Sequence, residues 1–232
     1  MRYLAAVLLM ACVSSAYADD DYEQLFNGKN LEGWDGDPAI WSVENGVIVG
    51  QTQNGQKLER NTFLVWTDGE VGDFEARVVF RLEGDNNSGV QYRSRLAPKN
   101  GKWSVVGYQA DIHPAGNYAG MLYDEGGRGI AAEHGQRVAF AADGKKSVDG
   151  EAVDAKRTVD FSDWSTIEIK AIGNKLVHTL NGDVTVEVTD DDAKEAEARG
   201  ILALQVHAGP PMRVEFKSVE LKRLGEGAAA KK

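Results

Sequence analysis

The chain has 232 residues, 42% of them hydrophobic, with 26 basic against 36 acidic side chains and a formal net charge of −10. That charge disfavours nucleic acid and anionic membrane as partners, since both carry the same sign, and it leaves neutral ligands such as sugars open. A chain of this length can bury a sizeable core without disulfides, and sandwiches of this size are commonly one domain.

The first predicted element is a leader. Arg2 supplies a positive start, residues 5–13 form an apolar stretch too short to span a bilayer, and Ala16-Tyr17-Ala18 places small residues where a signal peptidase reads. Residues 1–18 are therefore expected to be a cleaved signal peptide, sending the protein to the periplasm or the medium. The alternative is a lipid anchor at Cys12, because Leu9-Met10-Ala11-Cys12 loosely resembles a lipobox. Loss of 1–18 removes Arg2 and the single cysteine, leaving 25 basic against 36 acidic residues, or −11, and no possible disulfide.

Strands follow in regular order. Asn45-Gly46 between two apolar runs is a strong hairpin signal, because both residues accept positive φ. Residues 74–82 and 89–95 read as a pair joined by 83–88, and 107–113 as another strand. Residues 126–160 read as a long loop or inserted hairpin. Alternating segments at 166–172, 175–180 and 184–188, separated by Gly173-Asn174 and Asn181-Gly182, predict a three-strand meander. A short helix is expected over 190–199, with Gly200 as its stop. Strands at 201–207 and 212–221 flank Gly209-Pro210-Pro211, and the tail 225–232 is expected to be disordered. The reading is all-β, with one domain over 19–224.

Three of these strands are polar on a second face in an unusual way. Period-2 geometry puts Gln91, Arg93 and Arg95 on one side of the first, Gln109, Asp111 and His113 on one side of the second, and Gln205 and His207 on one side of the third. These planar, multi-point hydrogen-bonding groups differ from the Lys, Glu and Thr of an ordinary solvated face. If the strands share a sheet, they line a concave polar surface able to bond several hydroxyls. Trp66, Trp103, Tyr118 and Tyr123 lie near strand ends and could stack on a sugar ring.

Other motifs are weaker. Gly126-Gly127-Arg128-Gly129 lacks the strand-to-helix context of a phosphate loop. His113, His134, His178 and His207 form no short metal motif, so no cofactor is assigned. Convergence of His113, His207 and Asp111 would nevertheless suit a divalent ion. Asp111 and the Asp124-Glu125 pair are the nearest candidates for paired glycosidase carboxylates.

Several ordered blocks carry a family resemblance. They include Leu25-Phe26-Asn27-Gly28-Lys29, Trp41-Ser42-Val43-Glu44-Asn45-Gly46, Asn87-Ser88-Gly89-Val90-Gln91-Tyr92-Arg93, Gly107-Tyr108-Gln109-Ala110-Asp111, Leu122-Tyr123-Asp124-Glu125 and Gln205-Val206-His207-Ala208-Gly209-Pro210-Pro211. Across essentially the whole mature chain it resembles the 3-keto-disaccharide hydrolase domain family. That resemblance implies a concanavalin A-like jelly-roll sandwich and action on glycosides whose C3 hydroxyl has become a ketone. Many members look like Gly-Tyr-Glu-x-Gln where this chain has Gly107-Tyr108-Gln109-Ala110-Asp111, so the acidic group stands two places along on the same face.

The implied chemistry needs a base for the C2 proton, an electrophile for the enolate oxygen and an acid for the leaving group. His207 and Asp111 are expected to do the acid–base work, with His113 as partner and Arg93 on the ketone oxygen. Gln91, Gln109, Tyr123, Asp124 and Gln205 would hold hydroxyls. The rival readings are a non-catalytic carbohydrate-binding module on the same fold, a conventional endoglucanase and a structural adhesion role.

Overall fold

The structure is a computed structural model that describes residues 21–52, 56–84, 86–149 and 160–225. The expected leader at 1–18 and nearly all of the expected tail lie outside the described residues. In chain order the strands are β1 (Glu23–Gln24), β2 (Trp34–Asp35), β3 (Trp41–Glu44), β4 (Val47–Gln51), β5 (Thr62–Trp66), β6 (Phe74–Glu83), β7 (Ser88–Leu96) and β8 (Val105–Ile112). Then come β9 (Leu122–Glu125), β10 (Gly129–Ala132), β11 (Gln136–Phe140), β12 (Lys146–Val148), β13 (Ser165–Ile172), β14 (Lys175–Leu180), β15 (Asp183–Asp190), β16 (Ile201–Val206) and β17 (Arg213–Arg223).

They form two sheets. The larger runs β12-β11-β15-β14-β13-β6-β17-β4-β3, with β1 added beside β17, and the smaller runs β10-β9-β8-β7-β16-β5-β2. Pairing is antiparallel except for the parallel β11–β15 contact. One apolar cluster joins the sheets, with Phe74, Phe80, Ile167 and Phe216 from the larger and Leu64, Val90, Tyr92 and Ile112 from the smaller. Strict alternation in β6, buried at every second residue from Phe74 to Leu82, is what one-sided burial of a sheet demands.

Turn chemistry explains the local pairings. Glu44 pairs with Val47 across Asn45-Gly46, and Leu180 pairs with Asp183 across Asn181-Gly182. Both asparagines take positive φ, 50° and 51°, which two-residue hairpins require. Gly173-Asn174 closes β13 onto β14, completing the expected meander.

Two expectations are corrected. Residues 74–82 and 89–95 are not partners: β6 lies in the larger sheet and β7 in the smaller, so the connection between them crosses the sandwich. No α-helix forms over 190–199. There Asp192 accepts backbone N–H bonds from Lys194 and Glu195 instead, an Asx-type turn that competes with helix. Of the two readings for 126–160, the inserted hairpin is the one formed, by β11 and β12, while 150–159 lie outside the described residues.

A candidate active site on the smaller sheet

Strands β8, β7 and β16 are neighbours in the smaller sheet, as the polar pattern required. Val90, Tyr92, Tyr108, Ala110, Leu202 and Leu204 take the core side. Gln91, Gln109, Asp111 and Gln205 take the other, and each is no more than 1% exposed. Amides this deep must bond one another. Gln91 Nε2 donates to Gln109 Oε1 at 3.1 Å, and Gln109 Nε2 donates to Asp111 Oδ1 and, at 3.3 Å, to Gln205 Oε1. Ser94 Oγ donates to Gln91 Oε1 at 2.7 Å.

Two glycines make room for this. A Cβ on Gly89 would stand 2.4 Å from Gln109 Cδ, and one on Gly107 would stand 2.7 Å from Ser94 Oγ. Any side chain at Gly89 would therefore push Gln109 off Asp111.

Asp111 is the chemical centre of the face. Its side-chain hydrogen bonds among the described residues come from amides, Gln109 and, at 3.5 Å, Asn87 Nδ2. Burial pushes its carboxyl up to about 7, the Gln109 bond opposes that, and the charge of Glu125 adds to it. Glu125 projects from β9 to the same side as Tyr123, whose backbone pairs with Gln109. Its own carboxyl is raised by burial and accepts from Asn61 Nδ2 at 3.2 Å.

The two histidines are complementary. His113 Nδ1 accepts from the Ala115 N–H at 3.0 Å, which leaves the proton of a neutral ring on Nε2. His207 Nδ1 faces the Ala208 carbonyl and must donate to it, which leaves a lone pair on Nε2. Burial holds both below their ordinary value, and His113 is lowered further by the charge of His207. At neutral pH the site therefore offers one imidazole donor and one imidazole acceptor. Tyr118 packs edge-on against His113 with ring centres 5.1 Å apart.

The segment carrying His113 and Tyr118 is tied down from behind. Buried His178 bonds Gly120 O through Nδ1 at 3.1 Å and the Tyr92 hydroxyl through Nε2 at 2.9 Å. Thr185 Oγ1 donates to the same carbonyl at 2.8 Å, and His134 Nδ1 lies 2.6 Å from Ala119 O. Burial takes His178 down to about 4, so it stays neutral and structural. The described residues contain no grouping of three or more His, Cys, Asp or Glu side chains able to hold a metal, so the expected option of a divalent ion on His113, His207 and Asp111 finds no support in the geometry.

Three expected site residues lie elsewhere. A bulge in β7 sets Arg93 and Ser94 opposite Gly107, and Arg93 adopts φ 45°. Its guanidinium swings to the end of the sandwich, donating to the carbonyls of Gly72 at 2.9 Å, Gly173 at 2.7 Å and Glu197 at 3.4 Å, and to Asp73 at 3.0 Å. It is buried, and these bonds to Gly72, Gly173, Glu197 and Asp73 make it a structural clamp. Asp124 alternates to the core side, where Arg128 Nε donates to it at 2.9 Å. Trp66 is also a core residue, 3% exposed. Trp103 sits half-buried at the rim, its Nε1 donating to Asp35. Sequence reasoning placed Glu125 only in a pair with Asp124 and missed Asn61 and Asn87; strand alternation in β9 was the available signal for Glu125.

Comparison with known proteins fits this picture. Among solved structures, a candidate glycosyl hydrolase from Parabacteroides distasonis ATCC 8503 shares 21% identity over 89% of this chain and 95% of its own, with a TM-score of 0.58. The carbohydrate binding module CBM66 from Bacillus subtilis shares 15% identity, covering 82% of this chain and 95% of its own, with a TM-score of 0.54. SCLam, a non-specific endo-beta-1,3(4)-glucanase from family GH16, shares 14% identity, covering 88% and 92%, with a TM-score of 0.50. At such identities the likeness gives the fold, a jelly-roll sandwich of the lectin and glucanase kind. No curated protein matches the chain by sequence. The family described as the 3-keto-alpha-glucoside-1,2-lyase-like domain matches residues 21–222, which supports a carbohydrate-active function, and the chain belongs to that family.

Proposed function

We propose that this face cleaves glycosides carrying a ketone at C3, after export of the protein by its N-terminal leader. The observation that carries the reading is Asp111, a fully buried carboxyl facing amides and no described cation, and pushed up to about 7. Burying such a group is costly, and a carboxyl poised near neutrality can take or give a proton under working conditions.

The chemistry follows from the substrate. A C3 ketone acidifies the C2 hydrogen. The lone pair on His207 Nε2 takes that proton, and the electrons of the C2–H bond pass into an enolate. His113 Nε2–H donates to the enolate oxygen, the role Arg93 is not placed to perform. The enolate then re-forms the ketone as the C1–O bond breaks, and the departing oxygen takes its proton from Asp111. Water added across the resulting C1–C2 double bond completes a net hydrolysis; release before that step makes the reaction a lyase. Gln205, Gln109 and Gln91 are the floor that orients the acid, with Tyr123 and Glu125 beside it to bond hydroxyls.

A binding-only reading has one observation in its favour, the shared fold with a carbohydrate binding module. Incubation with a 3-keto-glucoside and with the matching unoxidised glucoside separates the two. The catalytic reading expects loss of the keto-substrate and release of its aglycone, with the unoxidised sugar untouched. Binding of both sugars with neither consumed would establish the module instead.

A further inference from the structure

The polarity of the amide chain holds more information than its distances. Hydrogen bonds run Ser94→Gln91→Gln109→Asp111, and the chain ends by donating to a carboxylate. That polarity leaves one defect: Gln205 Nε2 is buried without a partner among the described residues, while Gln205 Oε1 accepts from Gln109. A carboxamide turned over exchanges its donor and its acceptor at nearly unchanged shape. Turning all three amides gives a second pattern, in which the partnerless place is held by Gln205 Oε1 in place of an N–H. Asp111, now carrying a proton, donates to Gln109 Oε1, and Gln205 Nε2 donates to the same oxygen. Gln109 then donates to Gln91, and Gln91 donates to Ser94 Oγ. Ser94 keeps a place for its own hydrogen, since the carbonyls of Tyr92 and Tyr108 lie 2.9 and 3.3 Å from Oγ. The first pattern suits the carboxylate and the second the carboxylic acid.

We propose that the Ser94–Gln91–Gln109–Gln205 chain reverses its hydrogen-bond polarity when Asp111 gains or loses its proton, with Gln109 as the positioning residue that couples them. Each protonation state of Asp111 then has a buried partner of the right kind, and the acid is held in one place through both halves of a catalytic cycle. Its catalytic use rests on the function proposed above; the coupling itself does not, and it is read without substrate.

The titratable groups facing Asp111 are Glu125 and Tyr123 from β9, with His113 two residues on and His207 beyond β16. The test is site-resolved NMR of the Asp111 carboxyl carbon and of the Gln91 and Gln205 side-chain amides from pH 5 to pH 9. The amides of Gln91 and Gln205, neither bonded to Asp111, should shift with the same midpoint as the carboxyl. Gln109→Met should abolish the Gln91 shift while Asp111 still titrates, and Glu125→Gln should leave it in place. If Gln109→Met does not fold, Asp111→Asn serves: both amide signals should then stay flat across the range. Flat signals in the wild type, or shifts that survive Gln109→Met or Asp111→Asn, would overturn the proposal.

Discussion

Two clusters of buried acid lie on opposite faces of the same small sheet, and they have been handled in opposite ways. On the core side, Arg128 donates to Asp124 at 2.9 Å and to Asp190 at 2.6 Å, and its guanidinium lies 3.8 Å from Asp192. The Tyr108 hydroxyl adds a further bond to Asp190, and the guanidinium covers the ring of Phe140 at 4.2 Å. Burial alone would raise Asp190, but its bonds to Arg128 and Tyr108 outweigh that and hold its carboxyl below the usual value. On the far side Asp111 meets amides and the neighbouring charge of Glu125, and its carboxyl is pushed up to about 7. A carboxylate given a cation is committed to structure. One that meets no cation among the described residues stays able to exchange its proton, and that group lies two residues before His113, whose ring feels the charge of His207.

Removing the cation from the structural cluster gives the largest effect expected. Arg128→Met leaves several carboxylates buried and uncompensated, a loss of about 3–5 kcal/mol, to be read from denaturant unfolding. Arg93→Met comes next, at about 1.5–3 kcal/mol, because it strips charged hydrogen bonds from the Gly72 and Gly173 carbonyls. Its turnover per folded molecule should stay at the wild-type level. A selective fall in turnover with stability intact would return Arg93 to the reaction.

Asp111→Asn should behave in the reverse sense. An unfolded aspartate titrates near 3.9, whereas the folded group is pushed up to about 7. The native state thus holds the proton more tightly, and the contribution of Asp111 is present below about pH 4 and lost as pH rises through about 7. Asparagine carries no such penalty. The variant should gain stability over wild type by on the order of 2 kcal/mol more at pH 8 than at pH 5. A pH-independent difference would mean that Asp111 titrates as an ordinary surface acid. His178, taken down to about 4, has the opposite sign: its contribution is lost as pH falls from about 6.5 through about 4. Between about pH 6.5 and pH 4 the two groups oppose each other, so the acid-side decline in melting temperature should be steeper in Asp111→Asn than in wild type.

Much of this arrangement was legible before any coordinates. Asn-Gly pairs placed two hairpins to the residue, because positive φ at both turn positions admits few other sequences. Period-2 polarity on three strands placed Gln91, Gln109, Asp111 and Gln205 together, because alternation is enforced by backbone geometry. The failures share a cause, which is local departure from that geometry or tertiary choice of partner. At Arg93 the bulge breaks the alternation, and its strained φ carries no clear sequence mark. For β6 and β7, strand character was plain, but the connection's crossing between sheets was not. Asp124 and Glu125 are both acidic, and only the register of β9 decides which meets Arg128 and which meets Asn61. The expected helix at 190–199 had an acidic start and a glycine stop, yet Asp190 and Asp192 were required by Arg128 and by their own turn.

The central claim is that chemistry resides with the carboxyl lacking a cation and not with the buried arginine once expected beside it. Turnover of one 3-keto-glucoside by wild type, Asp111→Asn and Arg93→Met, each corrected for folded fraction, tests it most directly. The account predicts a loss of about 10²–10⁴ in rate for Asp111→Asn and wild-type turnover for Arg93→Met. Full activity in Asp111→Asn would contradict it.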